Sequence, residues 1–232
     1  MKESVSKKSQ GNPVLTGLRL IVLSGLTGCL VYAVMSLPPA DRGLSQEVNA
    51  QLSSSGVENP VTAVLLNFRA YDTLLEISVL VIALIGVWSL GLMPRRRVGS
   101  PGLVLTNLVE ILIPFLILFS GYLLWVGSHA PGGAFQAGVI LAAAALLFTL
   151  SGLPMPAHLA GWPLRLALVI GLGVFISIGV VMMITGGALL EYPPEAAKAL
   201  ILVIEAASTV SIGLILVCVF CGGRPRGPGG AP

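Results

Sequence analysis

Charged side chains make up only 10% of this sequence, where a soluble domain carries about 25%. So few charges cannot cover a water-facing surface, and lipid has to cover much of it instead. Cysteine is nearly absent too. Cys29 sits in an apolar run, and Cys218 and Cys221 form a lone C-V-F-C at the end of another. No second pair and no nearby histidine completes a metal or redox site there, which leaves membrane-embedded thiols. His129 has no second histidine near it in sequence, so it reads as a loop residue and no metal is expected. A nucleotide-binding fingerprint, a nucleophile elbow and a metal quartet are all missing. The net charge of +3 is too small and too scattered for nucleic acid. These absences leave soluble-site catalysis nowhere to sit, and neither an enzyme's chemistry nor a cofactor is expected of the chain.

What the sequence does have is apolar length. Hydrophobic residues are 55% of the chain, and the mean hydropathy is +0.94. A helix needs about 20 apolar residues to cross roughly 30 Å of hydrocarbon. Six runs qualify: Val14–Leu37, Leu74–Met93, Leu103–Val126, Gly133–Leu153, Leu164–Gly186 and Ala196–Phe220. Run length and the lack of strict alternation predict helices rather than strands. The expected fold is therefore an all-α polytopic membrane protein of about six transmembrane helices.

Lys and Arg in the flanks set the orientation. With six spans, Lys2, Lys7, Lys8, Arg19, Arg95, Arg96, Arg97, Arg165, Arg224 and Arg226 fall on one side. Only Arg42, Arg69 and Lys198 fall on the other, together with Asp41, Glu47, Glu58, Glu191 and Glu195. An odd number of spans destroys this sorting. Both termini are expected in the cytoplasm, in a bacterial inner membrane. The first run is longer than a signal-peptide core and no A-x-A site follows it, so it reads as a retained helix. Val61–Leu66 reads as an apolar stretch at the outer interface, and residues 222–232 as a disordered tail.

Polar groups inside the spans are the candidate site. A carboxylate there costs about 2.5–3.5 kcal/mol on insertion scales for Asp at a helix centre, so it faces a cavity or a partner. Arg69, Asp72 and Glu76 share one face at the start of the second span. They form either an ion or proton relay at a helix entrance or an interfacial ion-pair cluster. Glu110 lies about 10 Å inside the third span, one turn after Asn107. Pro114 removes the usual donor to the carbonyl of residue 110, so the cluster holds a cation or proton, or marks a kink bonded to a neighbouring helix. Glu205 is near the middle of the sixth span, with Ser208, Thr209 and Ser211 beside it. It is a candidate for a titrating group or an inter-subunit hydrogen bond. Before the fourth span, Pro131, Gly132 and Gly133 make a tight structural turn. Small residues recur at Ala134, Gly138 and Ala142, and at Gly173, Ser177 and Gly179. Such rows let helices approach closely, within this bundle or toward partner subunits.

Two stretches resemble a known family. Residues 59–90 contain Phe68, Arg69, Tyr71, Asp72, Thr73, Leu74 and Glu76 in the pattern F-R-x-Y-D-T-L-x-E. This block is similar to the C-terminal end of the large A subunit of Mrp-type multisubunit cation/proton antiporters, and to the E-type subunit of membrane-bound hydrogenases. Residues 102–147 resemble the Mrp B subunit, the MnhB domain, whose P-G-G-G-F-x-x-G turn falls on Pro131, Gly132, Gly133, Phe135 and Gly138, with Ala134 at the third glycine. Where the family often has Lys or Arg, this chain has Glu110.

The resemblance implies a division into residues 1–58 (first helix and polar outer loop), 59–98 (the A-terminal, hydrogenase-E-like helix), 99–221 (an MnhB-like four-helix domain) and 222–232 (tail). It implies an accessory subunit of an Na+/H+ antiporter complex, with other membrane subunits, the lipid bilayer, Na+ and H+ as partners. Asp72, Glu76, Glu205, Glu110 and Arg69 become ion-path candidates. The alternatives are a membrane-arm subunit of a membrane-bound hydrogenase or related redox-driven complex, and a purely structural scaffold.

Overall fold

The computed structural model describes residues 13–37, 43–90, 103–151, 161–185 and 187–221. Among the described residues every regular element is helical. In chain order these are α1 (Pro13–Met35), α2 (Ser45–Gln51), α3 (Pro60–Ala63), α4 (Ala70–Ser89), α5 (Leu103–Val126), α6 (Ala134–Leu150), α7 (Trp162–Ile184) and α8 (Pro194–Cys221). A short 3₁₀ turn, Leu52–Ser54, follows α2, and a π-helical segment, Val64–Phe68, joins α3 to α4.

The protein is an all-α polytopic membrane protein. Helices α1, α4, α5, α7 and α8 are each long and apolar enough to cross a membrane, while α6 is apolar and has 17 residues. That length spans about 25 Å, at the lower end of the crossing range. All six apolar runs thus fold as helices. The expected span 74–93 begins four residues early, at Ala70. Tyr71, Asp72 and Thr73 lower the local hydropathy without breaking the helix, so hydropathy places the start too late. The expected ends at 93, 153 and 186, and the tail 222–232, lie outside the described residues. Val61–Leu66, expected at the outer interface, forms α3 and part of the π-helical segment, and buries Thr62, Ala63 and Leu66.

The chain divides into two compact units, residues 1–46 and 47–232. In the first, α1 is apolar all round, with Ile21 71% and Tyr32 75% exposed. An apolar helix of this length suits the hydrocarbon of a membrane. In the second unit α8 is central. It packs against α6, α7 and α4, while α5 packs on α6. More than half of its span is buried, against less than a quarter for the other long helices of that unit.

Small residues permit this crowding. A Cβ added at Gly138 on α6 would stand 2.8 Å from Ile212 Cγ2, and one at Gly171 on α7 2.8 Å from Ser208 Cα. Gly173 has open space around it and Ser177 is exposed. On α7, then, Gly171 and Gly179 make the close approaches, and the Gly173–Ser177 pair faces outward. Ile77, Phe175, Ile201 and Ile204 close the core beside α4, and Leu84, Leu168 and Ile215 form a second cluster nearer the C-terminal end of α8.

Candidate ion-path site

Glu205 is 3% exposed, on the most enclosed helix of the bundle. Its sequence neighbours do not solvate its carboxylate. Thr209 Oγ1 donates to the Glu205 backbone carbonyl at 2.8 Å. Ser211 Oγ accepts from Gly171 N at 2.9 Å and lies 3.0 Å from the carbonyls of Ala167 and Leu168, to which it donates. Both hydroxyls therefore serve helix backbone, and the hydroxyl of buried Ser208 has no partner among the described residues.

The group that meets the Glu205 carboxylate comes from another part of the chain. It is the turn at the start of α6, with the backbone N–H of Ala134 beside the carboxylate. Gly133, at φ +104°, lies so close that an added Cβ would be 2.6 Å from Glu205 Oε1. Only glycine adopts that backbone readily and leaves that space. Gly132 is equally constrained, since its Cβ would stand 2.5 Å from Leu123 O. The turn at Pro131–Gly133 and the carboxylate at Glu205, separate features of the sequence, form one site.

The same turn is gripped from the other side. Asn59, the N-cap of α3, bonds Val61 N through its carbonyl, and its amide donates to Gly127 O at 3.1 Å and Ala130 O at 2.8 Å. Thr62 Oγ1 donates to Gly127 O at 2.5 Å. The backbone N–H groups of Glu58 and Asn59 both reach Ser128 O at 3.0 Å. This clamp escaped the sequence reading, although Asn before Pro is a helix-start signal. Beside it, His129 lies 2.7 Å from Ser128 Oγ, 3.2 Å from Lys198 Nζ and 3.9 Å from Glu58 Oε1. Lys198 is seven residues before Glu205 on α8, about 10 Å along the same face. A cluster of titratable groups therefore stands two turns above the buried carboxylate.

The remaining candidates are elsewhere. Arg69 sits between the π-helical segment and α4 and pairs with Asp72. Thr73 Oγ1 donates to Leu65 O at 2.6 Å across the same break. Glu76 is exposed on α4 and Glu110 is exposed on α5, beside exposed Asn107. Helix α5 continues through Pro114. The structure brings Glu205 together with the glycine turn, and Arg69 with Asp72. Glu76, one turn after Asp72 on α4, makes no ion pair among the described residues, and Glu110 on α5 joins neither group. No cluster of three metal-ligating residues occurs among the described residues.

Fold and site together define a class, a membrane-embedded helical bundle that carries carboxylates within its spans. Its family follows from the sequence profile. The chain belongs to the family of domains related to the MnhB subunit of Na+/H+ antiporters, which matches residues 104–222, over half of its length. The profile of MbhE, the E-type subunit of MBH, matches residues 15–103. Both modules read from the motifs are thereby matched, in the order expected.

Two solved structures share the fold. One is a chain of the membrane-bound sulfane sulfur reductase (MBS), an archaeal respiratory membrane complex, with 22% identity and a TM-score of 0.67 over 90% of this chain and 97% of that one. The other is a chain of the Mrp complex from Dietzia sp. DQ12-45-1b, with 22% identity and a TM-score of 0.65 over 98% of this chain and 27% of that one. The protein thus corresponds to about a quarter of the Mrp chain. No curated protein sequence matches it.

Proposed function

We propose that this chain is an accessory membrane subunit of a multisubunit Na+/H+ antiporter complex, a transporter component without catalysis of its own, in a bacterial inner membrane with both termini in the cytoplasm. Glu205 is a proton- or cation-holding group on the ion path, reached from the Glu58–His129–Lys198 end. Arg69, Asp72 and Glu76 line the route at a subunit interface, and Glu110 meets a neighbouring subunit. The observation that carries this reading is Glu205 itself. A carboxylate buried inside a membrane bundle against a glycine turn is costly to keep, and a transported ion gives it a use.

The test is Na+-dependent antiport by the assembled complex in vesicles. Glu205→Gln, Glu76→Ala and Asp72→Asn are each expected to abolish antiport with the complex intact. Unchanged antiport in all three removes the ion-path role. Loss of assembly instead favours the scaffold reading. A second reading has its own support in the fold shared with the sulfane sulfur reductase chain. On that reading the same module serves the membrane arm of a redox-driven complex. Subunits purified with this chain separate the two, since iron–sulfur or hydrogenase-like partners favour the redox complex and antiporter subunits alone favour the first.

A further inference from the structure

At the end of the bundle far from His129, a cavity of about 420 Å³ opens between α4 and α7. Its walls are aliphatic, with Leu84 and Ile85 from α4 and Leu168 and Val169 from α7. Trp88 and Arg165 also line it, one turn from the ends of their helices. Arg165 is exposed and makes no ion pair among the described residues. The stretches that connect or follow the helices at this end, 90–102, 151–161 and 222–232, contain no Asp or Glu, yet they hold Arg95, Arg96, Arg97, Arg224 and Arg226. These three stretches therefore bring no carboxylate side chain to this cationic end.

The indole nitrogen of Trp88 finds no acceptor among the described residues either. Trp162 is exposed at the same level, as expected of aromatic residues at a membrane interface. An apolar slot within the membrane that ends in a guanidinium calls for a ligand with a hydrocarbon tail and an anionic head.

We propose that this groove binds one anionic phospholipid, with an acyl chain along Ile85 and Val169 and its phosphate at Arg165. The headgroup supplies a counter-charge to Arg165, which has no ion-pair partner among the described residues. Basic pockets between helices on the Arg-rich side of a membrane protein bind anionic lipids in this way.

The experiment uses the intact complex and phosphatidylglycerol carrying a photoactivatable acyl chain. Labelling is expected on the α4 and α7 peptides and is displaced by unlabelled phosphatidylglycerol but not by phosphatidylcholine. Arg165→Gln is expected to lower labelling about fivefold, the effect of one interfacial cation, and Arg165→Lys to retain it. Ile85→Trp fills the slot and is expected to abolish labelling without disturbing assembly. Equal labelling in Arg165→Gln, or equal displacement by phosphatidylcholine, overturns the proposal in favour of unselective boundary lipid. A photoreactive residue at position 85 that captures protein instead of lipid overturns it too.

Discussion

Glu205 and Glu76 are the same residue type in the same kind of helix, and their surroundings are opposite. Glu205 is sealed in the bundle, with the glycine turn before α6 pressed against it. Glu76 stands exposed on α4, and Glu110 on α5 resembles it. The chain completes one carboxylate site by itself and leaves the others to be completed from outside. Within hydrocarbon an uncovered carboxylate is costly, and the proposed function has neighbouring subunits cover the exposed pair.

The contrast can be broken most forcefully at the turn. Gly133→Ala combines a strained positive φ with a Cβ 2.6 Å from Glu205 Oε1. It is expected to cost about 3 kcal/mol or more, read as a loss of thermal stability of the complex in detergent. Glu205→Ala empties the buried space against Gly133 and should cost about 1–3 kcal/mol. Glu76→Ala should change the stability of the chain by less than about 0.5 kcal/mol and leave its fold intact. Equal losses for these two substitutions erase the distinction between sealed and open sites. Asn59→Ala removes two bonds to the turn and is expected to cost about 1–2 kcal/mol, visible as faster hydrogen exchange at residues 127–130.

The smallest effect belongs to Tyr192, which lies before α8 and outside the spans. Its hydroxyl is buried without a partner among the described residues, and burial pushes the phenol above its ordinary range. It therefore stays neutral, and Tyr192→Phe should alter stability by less than about 0.5 kcal/mol, measured by the same denaturation assay.

Much of the architecture was legible in the sequence because membrane helices announce themselves by length and hydropathy. The exceptions are local. Asp72 and its polar neighbours hid the first turn of α4, and nothing in residues 64–68 signals a π-helical turn. Glu205 stood out as a carboxylate in an apolar run, and the glycine turn stood out through its resemblance. Their meeting did not, since some 70 residues separate them and backbone donors leave no mark in a sequence. For the same reason Ser208, Thr209 and Ser211 looked like companions of Glu205, although helical spacing says which residues share a face and not what their hydroxyls bond. Gly171 was overlooked in favour of Gly173 because a small-residue row does not say which face of α7 meets α8.

The clamp of Asn59 and Thr62 on residues 127–130 has a consequence for how such a protein can be encoded. It joins the MbhE-like half to the MnhB-like half through side-chain and backbone hydrogen bonds, independently of the peptide linking them. The covalent link across residues 91–102 is then one connection among several. Two shorter polypeptides cut there are expected to stay associated through this clamp, and co-purification of the two halves expressed separately would check it.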